Sequence, residues 1–512
     1  MDRRQVLGGA AAGLALAGPA WSAEHPVART TAGRVRGAVD GGIRVFKGVR
    51  YGAPTRRGMP PGRPAPWSGV APALAYGAAS PQARSDEPTG EDCLFLNVWT
   101  PGLDAARRPV MVYIHGGAYS TGSGSSPLYD GTRLARAGEV VVVSLNHRLN
   151  AFGYAYLARL GGPADSGNAG MLDLVLALEW VRDNIAAFGG DPGRVMVFGQ
   201  SGGGAKIATL MAMPAAAGLF HRAATMSGQQ VTASGPLNAT ERARAYLEAL
   251  KLKPEQASEM LTLPTERLVA ALSARDPILP YGSIYFGPVL DDRSLTRHPF
   301  YPDAPAQSAK IPMIIGNTHD ETRAFLGGDE GNFTVGWDAL PARLAPNLRV
   351  DINPEMVVAE YRRLYPHYSP SEVLFAASTA SRSWRAAVIE AELRAKQGSP
   401  AWVYQLDFPS PDARLRAMHT LDIPLVFDNT GATGSKTGDG PETRALAAQM
   451  SRAFIAFAHT GDPNHAGMPR WDRYELPRRQ TMIFDATSRM ADDPRGAERE
   501  LFARVPFIQS GT

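Results

Sequence analysis

The chain has 512 residues, of which 44% are hydrophobic, 8% aromatic and 20% charged, with a formal charge of +4 at pH 7. Its 53 basic residues nearly balance 49 acidic ones and nowhere cluster with interleaved aromatics, which argues against a nucleic-acid partner. The single cysteine, Cys93, excludes an internal disulfide, a cysteine zinc ribbon and a redox pair.

Met1-Asp2-Arg3-Arg4 leads into an Ala/Gly/Leu run that ends at Leu16, followed by Gly18-Pro19-Ala20-Trp21-Ser22. Paired arginines before a short apolar stretch, with small residues at Ala20 and Ser22, have the form of a twin-arginine export signal over residues 1–22. The mature chain, 23–512, is then expected in the periplasm or outside the cell. No segment reaches the ~20 apolar residues of a stable membrane span.

Gly33-Arg34-Val35-Arg36-Gly37 and Ile43-Arg44-Val45-Phe46 alternate like short strands and read as an opening hairpin. The Pro/Gly-rich stretch from Tyr51 to Trp67 reads as ordered loop, since aromatic residues interrupt it. Apolar runs then recur at Leu94–Trp99, Val110–Ile114, Val140–Ser144, Val195–Phe198 and Ile311–Ile315. Several have no polar alternation, as expected for strands buried on both faces. Helical patterns lie between them, most clearly Leu172–Val181, so the chain reads as α/β with a mostly parallel, doubly wound sheet. Residues 236–280 and 352–397 carry helix formers without strand patterns and read as helical insertions capping one sheet. No repeat or long polar linker divides the chain, so 23–512 is expected to be a single domain.

Within Val195–Ala205 an apolar strand ends in Gly199-Gln200-Ser201-Gly202-Gly203 and runs into a helical pattern. This is the setting of a nucleophile elbow: the turn is so tight that residues flanking the serine must be small, and the hydroxyl is pushed out at the carboxyl end of the sheet. A serine hydroxyl needs a base, and the base an acid to orient it. The chain order is serine, then acid, then base, so the candidates that follow Ser201 at a plausible distance are His298, His319, His367, His419, His459 and His465, of which His298 and His319 precede or crowd the acid. His419 is placed best, in a loop after the strand-like Trp402–Leu406. His459 and His465 flank a helix stop and turn, Thr460–Asn464, and read as surface residues. The acid should follow the strand at 311–315, where Asp320 and Glu321 stand side by side, and the residue pattern alone does not choose between them. Small residues after another strand, His115-Gly116-Gly117-Ala118-Tyr119, suit a loop whose N–H groups await a developing oxyanion, with the Gly202 N–H as a further donor.

Taken together these segments resemble the type-B carboxylesterases, an α/β-hydrolase family that includes cholinesterases and bacterial nitrobenzyl esterases. Glu91–Pro101 resembles one family signature, with Phe95 where Tyr is usual, and Phe188–Gly203 resembles the other. Further matches are Phe46–Tyr51, Asn146–Leu149, Gly167–Asp173, Phe457–Asn464 and Arg479–Met482. The resemblance implies an α/β-hydrolase fold with helical cap insertions. It implies Ser201 as nucleophile, Glu321 as acid, His419 as base, and Gly117, Ala118 and Gly202 as oxyanion donors. It further implies hydrolysis of a small-molecule ester through an acyl-enzyme, with no cofactor or metal. The departures are informative: Gln200 and Gly202 replace a common Glu and Ala, removing a negative charge beside the nucleophile, so an uncharged ester is expected. Cys93 has no partner cysteine, and Pro81–Cys93 holds no tryptophan, which argues against a choline esterase. Thr322 stands where glycine is common. An amidase, lactonase or thioesterase would use the same triad, and a non-catalytic binding member would lack part of it.

Overall fold

The computed structural model describes residues 25–279 and 282–509. The expected export signal lies outside them. The frame is an eleven-stranded sheet. In chain order its strands are β1 (Ala38–Asp40), β2 (Ile43–Arg50), β3 (Phe95–Thr100), β4 (Arg108–Ile114), β5 (Val141–Leu145), β6 (Gly190–Gln200), β7 (Arg222–Met226), β8 (Met313–Thr318), β9 (Ala401–Leu406), β10 (Gln480–Phe484) and β11 (Arg489–Asp492). Their spatial order is 11-10-9-8-7-6-4-5-3-2-1. Neighbours from β10 through β5 are parallel, while β1, β2, β3 and β11 run antiparallel to theirs. The parallel centre is bridged by helices, among them α1 (Ala169–Asn184) and α2 (Gly202–Leu210).

Alternation along the central strands splits the core into two layers. Val110, Val112 and Ile114 of β4 face one layer with Val195 and Val197 of β6, packed on α1 through Leu174, Ala177 and Val181. Met111, Tyr113, Met196 and Phe198 face the other. Both faces being covered explains why these strands read as unbroken apolar runs.

The opening hairpin is placed differently from the sequence reading. Arg34–Arg36 pairs with Val27–Arg29 and Val70–Pro72 in a separate three-stranded sheet. The hairpin partner of β2 is β1, with Asp40 opposite Ile43. Gly41 and Gly42 between them both have positive φ, 53° and 87°, the two-residue turn whose twist suits adjacent strands. That local turn outcompetes the longer connection from Arg36. The strand expected at Ile311 begins two residues later, after Pro312, which has no N–H to donate to a ladder.

The segments at 236–280 and 352–397 hold α3 (Pro236–Ala249), α4 (Pro354–Leu364), α5 (Pro370–Thr379), a π-helical turn over Ala380–Trp384, and α6 (Arg385–Lys396). Leu344, Val357, Tyr361, Val373 and Phe502 share a small apolar cluster of their own above the sheet. Helix α7 (Pro441–Thr460) covers the opposite layer through Leu446, Met450, Phe454 and Phe457.

Candidate active site

Ser201, Glu321 and His419 come from the carboxyl ends of β6, β8 and β9, strands that lie close together in the sheet. The ends of β8 and β9 are in register, Thr318 opposite Leu406. The loops beyond are stitched together by His319 N–H to Leu406 O at 2.9 Å and Asp320 N–H to Ala417 O at 2.9 Å. The acid-bearing loop therefore fixes the loop that carries His419.

Ser201 sits on the turn between β6 and α2 with φ 56° and ψ −128°, a conformation L-residues avoid. Its N–H bonds to Met226 O at 2.7 Å, which anchors the turn to β7. The flanking glycines are demanded by contact: a Cβ on Gly203 would overlap the carbonyl of Ile114, the last residue of β4. On Gly202 it would overlap Ala118. The small residues beside the serine thus let the elbow nest against the 115–119 loop.

Of the two neighbouring carboxylates, the fold turns Glu321 inward. It is fully buried and accepts the Nδ1–H of His419. Its other oxygen accepts from Thr318 N–H at 3.0 Å and Asn317 Nδ2–H at 3.3 Å. Burial opposes its charge, but the His419 imidazole, the Ser227 side chain and the Thr318 N–H outweigh it and hold the carboxyl below its ordinary range. Asp320 instead contacts His319 at 3.3 Å and Arg323 at 3.4 Å. Thr322, next in line, is buried and bonds to Phe375 O and Thr379 Oγ1 at 2.9 Å, joining the acid loop to α5. A glycine there could not make that tie.

With Nδ1–H committed to Glu321, the lone pair of His419 Nε2 is the imidazole's basic site. The Gln200 side-chain amide lies 3.1 Å from it. Among the described residues the imidazole bonds to Glu321 and Gln200, and no hydrogen bond joins it to the Ser201 hydroxyl. Both side chains line one cleft of about 140 Å³. The other histidines are spent elsewhere. His298 accepts from Ala233 N–H, His459 donates to Gly138 O, and His465 bonds to Ala466 O and Gln449 O. His367 rests edge-on against Tyr368. His459 and His465 are half-buried rather than on the open surface.

The loop after β4 runs past the serine with positive φ at Gly117 (83°) and Ala118 (52°). Among the described residues neither spends its N–H on a backbone acceptor. Gly202 heads α2, where an N–H has no acceptor within the helix. Ala118 and Gly202 line the same cleft as Ser201, and the N–H groups of Gly117, Ala118 and Gly202 have no intrahelical or ladder role.

Four features of the site escape a reading of residues alone. Gln200 reaches the imidazole. Asp422, three residues past His419, is buried, accepts from Tyr404 Oη–H at 2.7 Å and is pushed up to about 6 by burial and by the charge of Glu321. Arg349, Arg382, Phe325 and Phe507 line the cleft from segments remote in sequence. Phe325 packs on the His419 ring at 4.8 Å, with the Arg382 guanidinium 4.5 Å from its centroid. Lys206 lies fully buried on α2.

A profile described as the carboxylesterase family matches residues 24–502. A para-nitrobenzyl esterase of Bacillus subtilis is 35% identical over 93% of this chain and 98% of its own length. A phenmedipham hydrolase of Pseudarthrobacter oxydans is 34% identical over 88% of this chain and 93% of its own. Among solved structures, a carboxylesterase of Geobacillus stearothermophilus superposes with a TM-score of 0.84 at 37% identity, covering 93% of this chain and 99% of that one.

Proposed function

The chain belongs to the carboxylesterase family and is a serine-type carboxylic ester hydrolase, and from that premise we propose that Ser201, His419 and Glu321 carry the reaction. The observation that supports the assignment is a buried carboxylate, Glu321, holding the Nδ1–H of an imidazole that shares one cleft with the elbow serine. Ser201 Oγ attacks the ester carbonyl while His419 Nε2 takes its proton; the negative charge moves to the carbonyl oxygen, which accepts from the N–H groups of Gly117, Ala118 and Gly202. Collapse breaks the bond to the alkoxide, which leaves with the proton from His419. Water then attacks the acyl-serine, again deprotonated by His419, and the acid is released. Glu321 keeps the imidazole in the tautomer that accepts at Nε2 and stabilises the imidazolium. For Nε2 to meet the serine proton the Gln200 amide must give way, a tightening typical of substrate-bound states. With Gln200 uncharged, no carboxylate stands beside the nucleophile to attract a cationic ester.

The rate of p-nitrophenyl ester hydrolysis, from acetate to palmitate, tests this. Ser201→Ala is expected to lower kcat by about ten-thousandfold or more while the protein stays folded. Equal rates in wild type and variant would overturn the assignment. The paired arginines before a short apolar run support export of the mature chain. Replacing Arg3 and Arg4 by lysine is expected to leave activity in the cytoplasmic fraction; unchanged periplasmic activity would reject a twin-arginine route.

A further inference from the structure

Five residues past the nucleophile, α2 carries Lys206, whose side chain has no solvent exposure. Its Nζ donates to the His115 carbonyl at 3.0 Å and stands 5.6 Å from the centroid of the Tyr119 ring. His115 enters the oxyanion loop and Tyr119 leaves it, with Gly116, Gly117 and Ala118 between. Other titratable groups close by are the imidazoles of His115, after β4, and His147, after β5, stacked with centroids 4.9 Å apart. Arg148 follows His147, its guanidinium held by Asp173. Burial and the Lys206 charge push both imidazoles down, His115 to about 3, so they are neutral. Each donates its Nδ1–H to a neighbouring carbonyl, Gly116 O and Arg148 O, at 2.9 Å. Among the described residues no carboxylate pairs with Lys206. A buried ammonium held by one carbonyl dipole and a ring face is costly to the fold. Methionine would fill the same space without that cost.

We propose that Lys206 is a positioning residue for ester hydrolysis: it pins the His115 carbonyl and so fixes the loop whose Gly117 and Ala118 N–H groups meet the developing oxyanion. This rests on the assignment of Ser201 as nucleophile. Positive φ at Ala118, a residue with a Cβ, costs energy that must be met from outside the loop. Lys206 holds the loop's entry, as Asn150 N–H, bonded to Tyr119 O at 2.7 Å, holds its exit. Burial pulls the amine down to about 7. The charge-assisted bond is therefore complete below neutrality and weakens above it, so kcat/KM acquires a descending step near that pH.

The test compares wild type, Lys206→Met, Lys206→Arg and Ser201→Ala on p-nitrophenyl butyrate from pH 5.5 to 9, with melting temperatures. Lys206→Met is expected to lower kcat about 10- to 100-fold at low pH, as loss of oxyanion-site alignment does, with KM within about threefold. Its melting temperature is expected to equal or exceed that of wild type, because a buried charge is gone, and its descending step to vanish. Lys206→Arg keeps a donor that does not titrate and should recover part of kcat, again without the step. A methionine variant with wild-type kcat and pH profile overturns the proposal, as does a loss of kcat matched by loss of folded protein. If Ser201→Ala keeps the wild-type rate, the nucleophile assignment falls and the proposal with it.

Discussion

The environment of Asp422 shows how one buried group sets a pH dependence without touching substrate. Its carboxyl is pushed up to about 6 from 3.8, burial being the main cause and the Glu321 charge a further one, against the opposing pull of the Tyr404 hydroxyl and His419. In the unfolded chain the same carboxyl ionises near its ordinary value. Between those two values the folded protein holds a proton the unfolded chain has released, so this residue's stabilising contribution is complete below about 4. It is lost as pH rises through about 6. Asp422→Asn removes the titration while keeping an acceptor for Tyr404. The melting temperature of the variant relative to wild type is therefore expected to climb between pH 4 and 7 and level off above. A difference flat across that range would show that Asp422 does not titrate there. The same residue marks a limit of sequence reading: its burial and its proximity to Glu321 depend on how β8 and β9 align, which no residue pattern states. For the same reason Asp320 and Glu321 were indistinguishable in sequence, since one residue's difference is settled by which way the chain turns after Thr318.

At the level of elements, the strand–turn–helix around Ser201 was legible because its constraints are local. Small residues at fixed offsets from the serine are needed whatever the rest of the chain does. The structure adds the reason in detail: Gly203 lies where any Cβ would strike the Ile114 carbonyl of β4. Backbone cannot yield there without opening the β4–β6 pairing, in which Ile114 is itself opposite Gly199. Gly203→Ala is expected to abolish soluble expression or lower the melting temperature by several degrees, with activity lost in whatever folds. Gly235→Ala is the control. That glycine has negative φ and open space around its Cβ direction, so the substitution should leave both stability and rate within error. Equal behaviour of the two variants would contradict the close approach of the elbow to β4. The opening hairpin was misread for the converse reason: alternation marks a strand but not its partner, and the Gly41-Gly42 turn decided the pairing.

Across the whole molecule, two segments that looked like isolated sequence motifs turn out to be one device. Arg148, in the run Asn146–Leu149, and Asp173, in the run Gly167–Asp173, form a buried ion pair at 2.6 Å, with side-chain exposures of 2% and 0%. Asp173 also accepts from the Arg148 backbone N–H and Nε at 2.9 and 2.8 Å. The guanidinium spends its remaining donors on the carbonyls of Arg56, Met59 and Ala169. One side chain thereby ties the Pro/Gly-rich stretch at 51–67, which has no ladder of its own, to α1 and to the loop after β5. Together with Arg57 on Glu91 and the Tyr51 hydroxyl on Asn146 O, this tie orders the stretch despite its composition. A buried pair of this kind is worth little against a well-packed apolar substitute, but removing one member leaves the other charged and unpaired in the core. Arg148→Met is accordingly expected to cost on the order of 3–5 kcal/mol, read from the shift of the urea midpoint at pH 7. Arg148→Met combined with Asp173→Leu should recover much of that loss, because no charge remains buried. The carbonyls of Arg56 and Met59 stay unsatisfied in the double variant, so proteolysis is expected to begin within 51–67 while the catalytic centre persists. A double variant no more stable than the single one would show that the carbonyl contacts, rather than the ion pair, hold the segment in place.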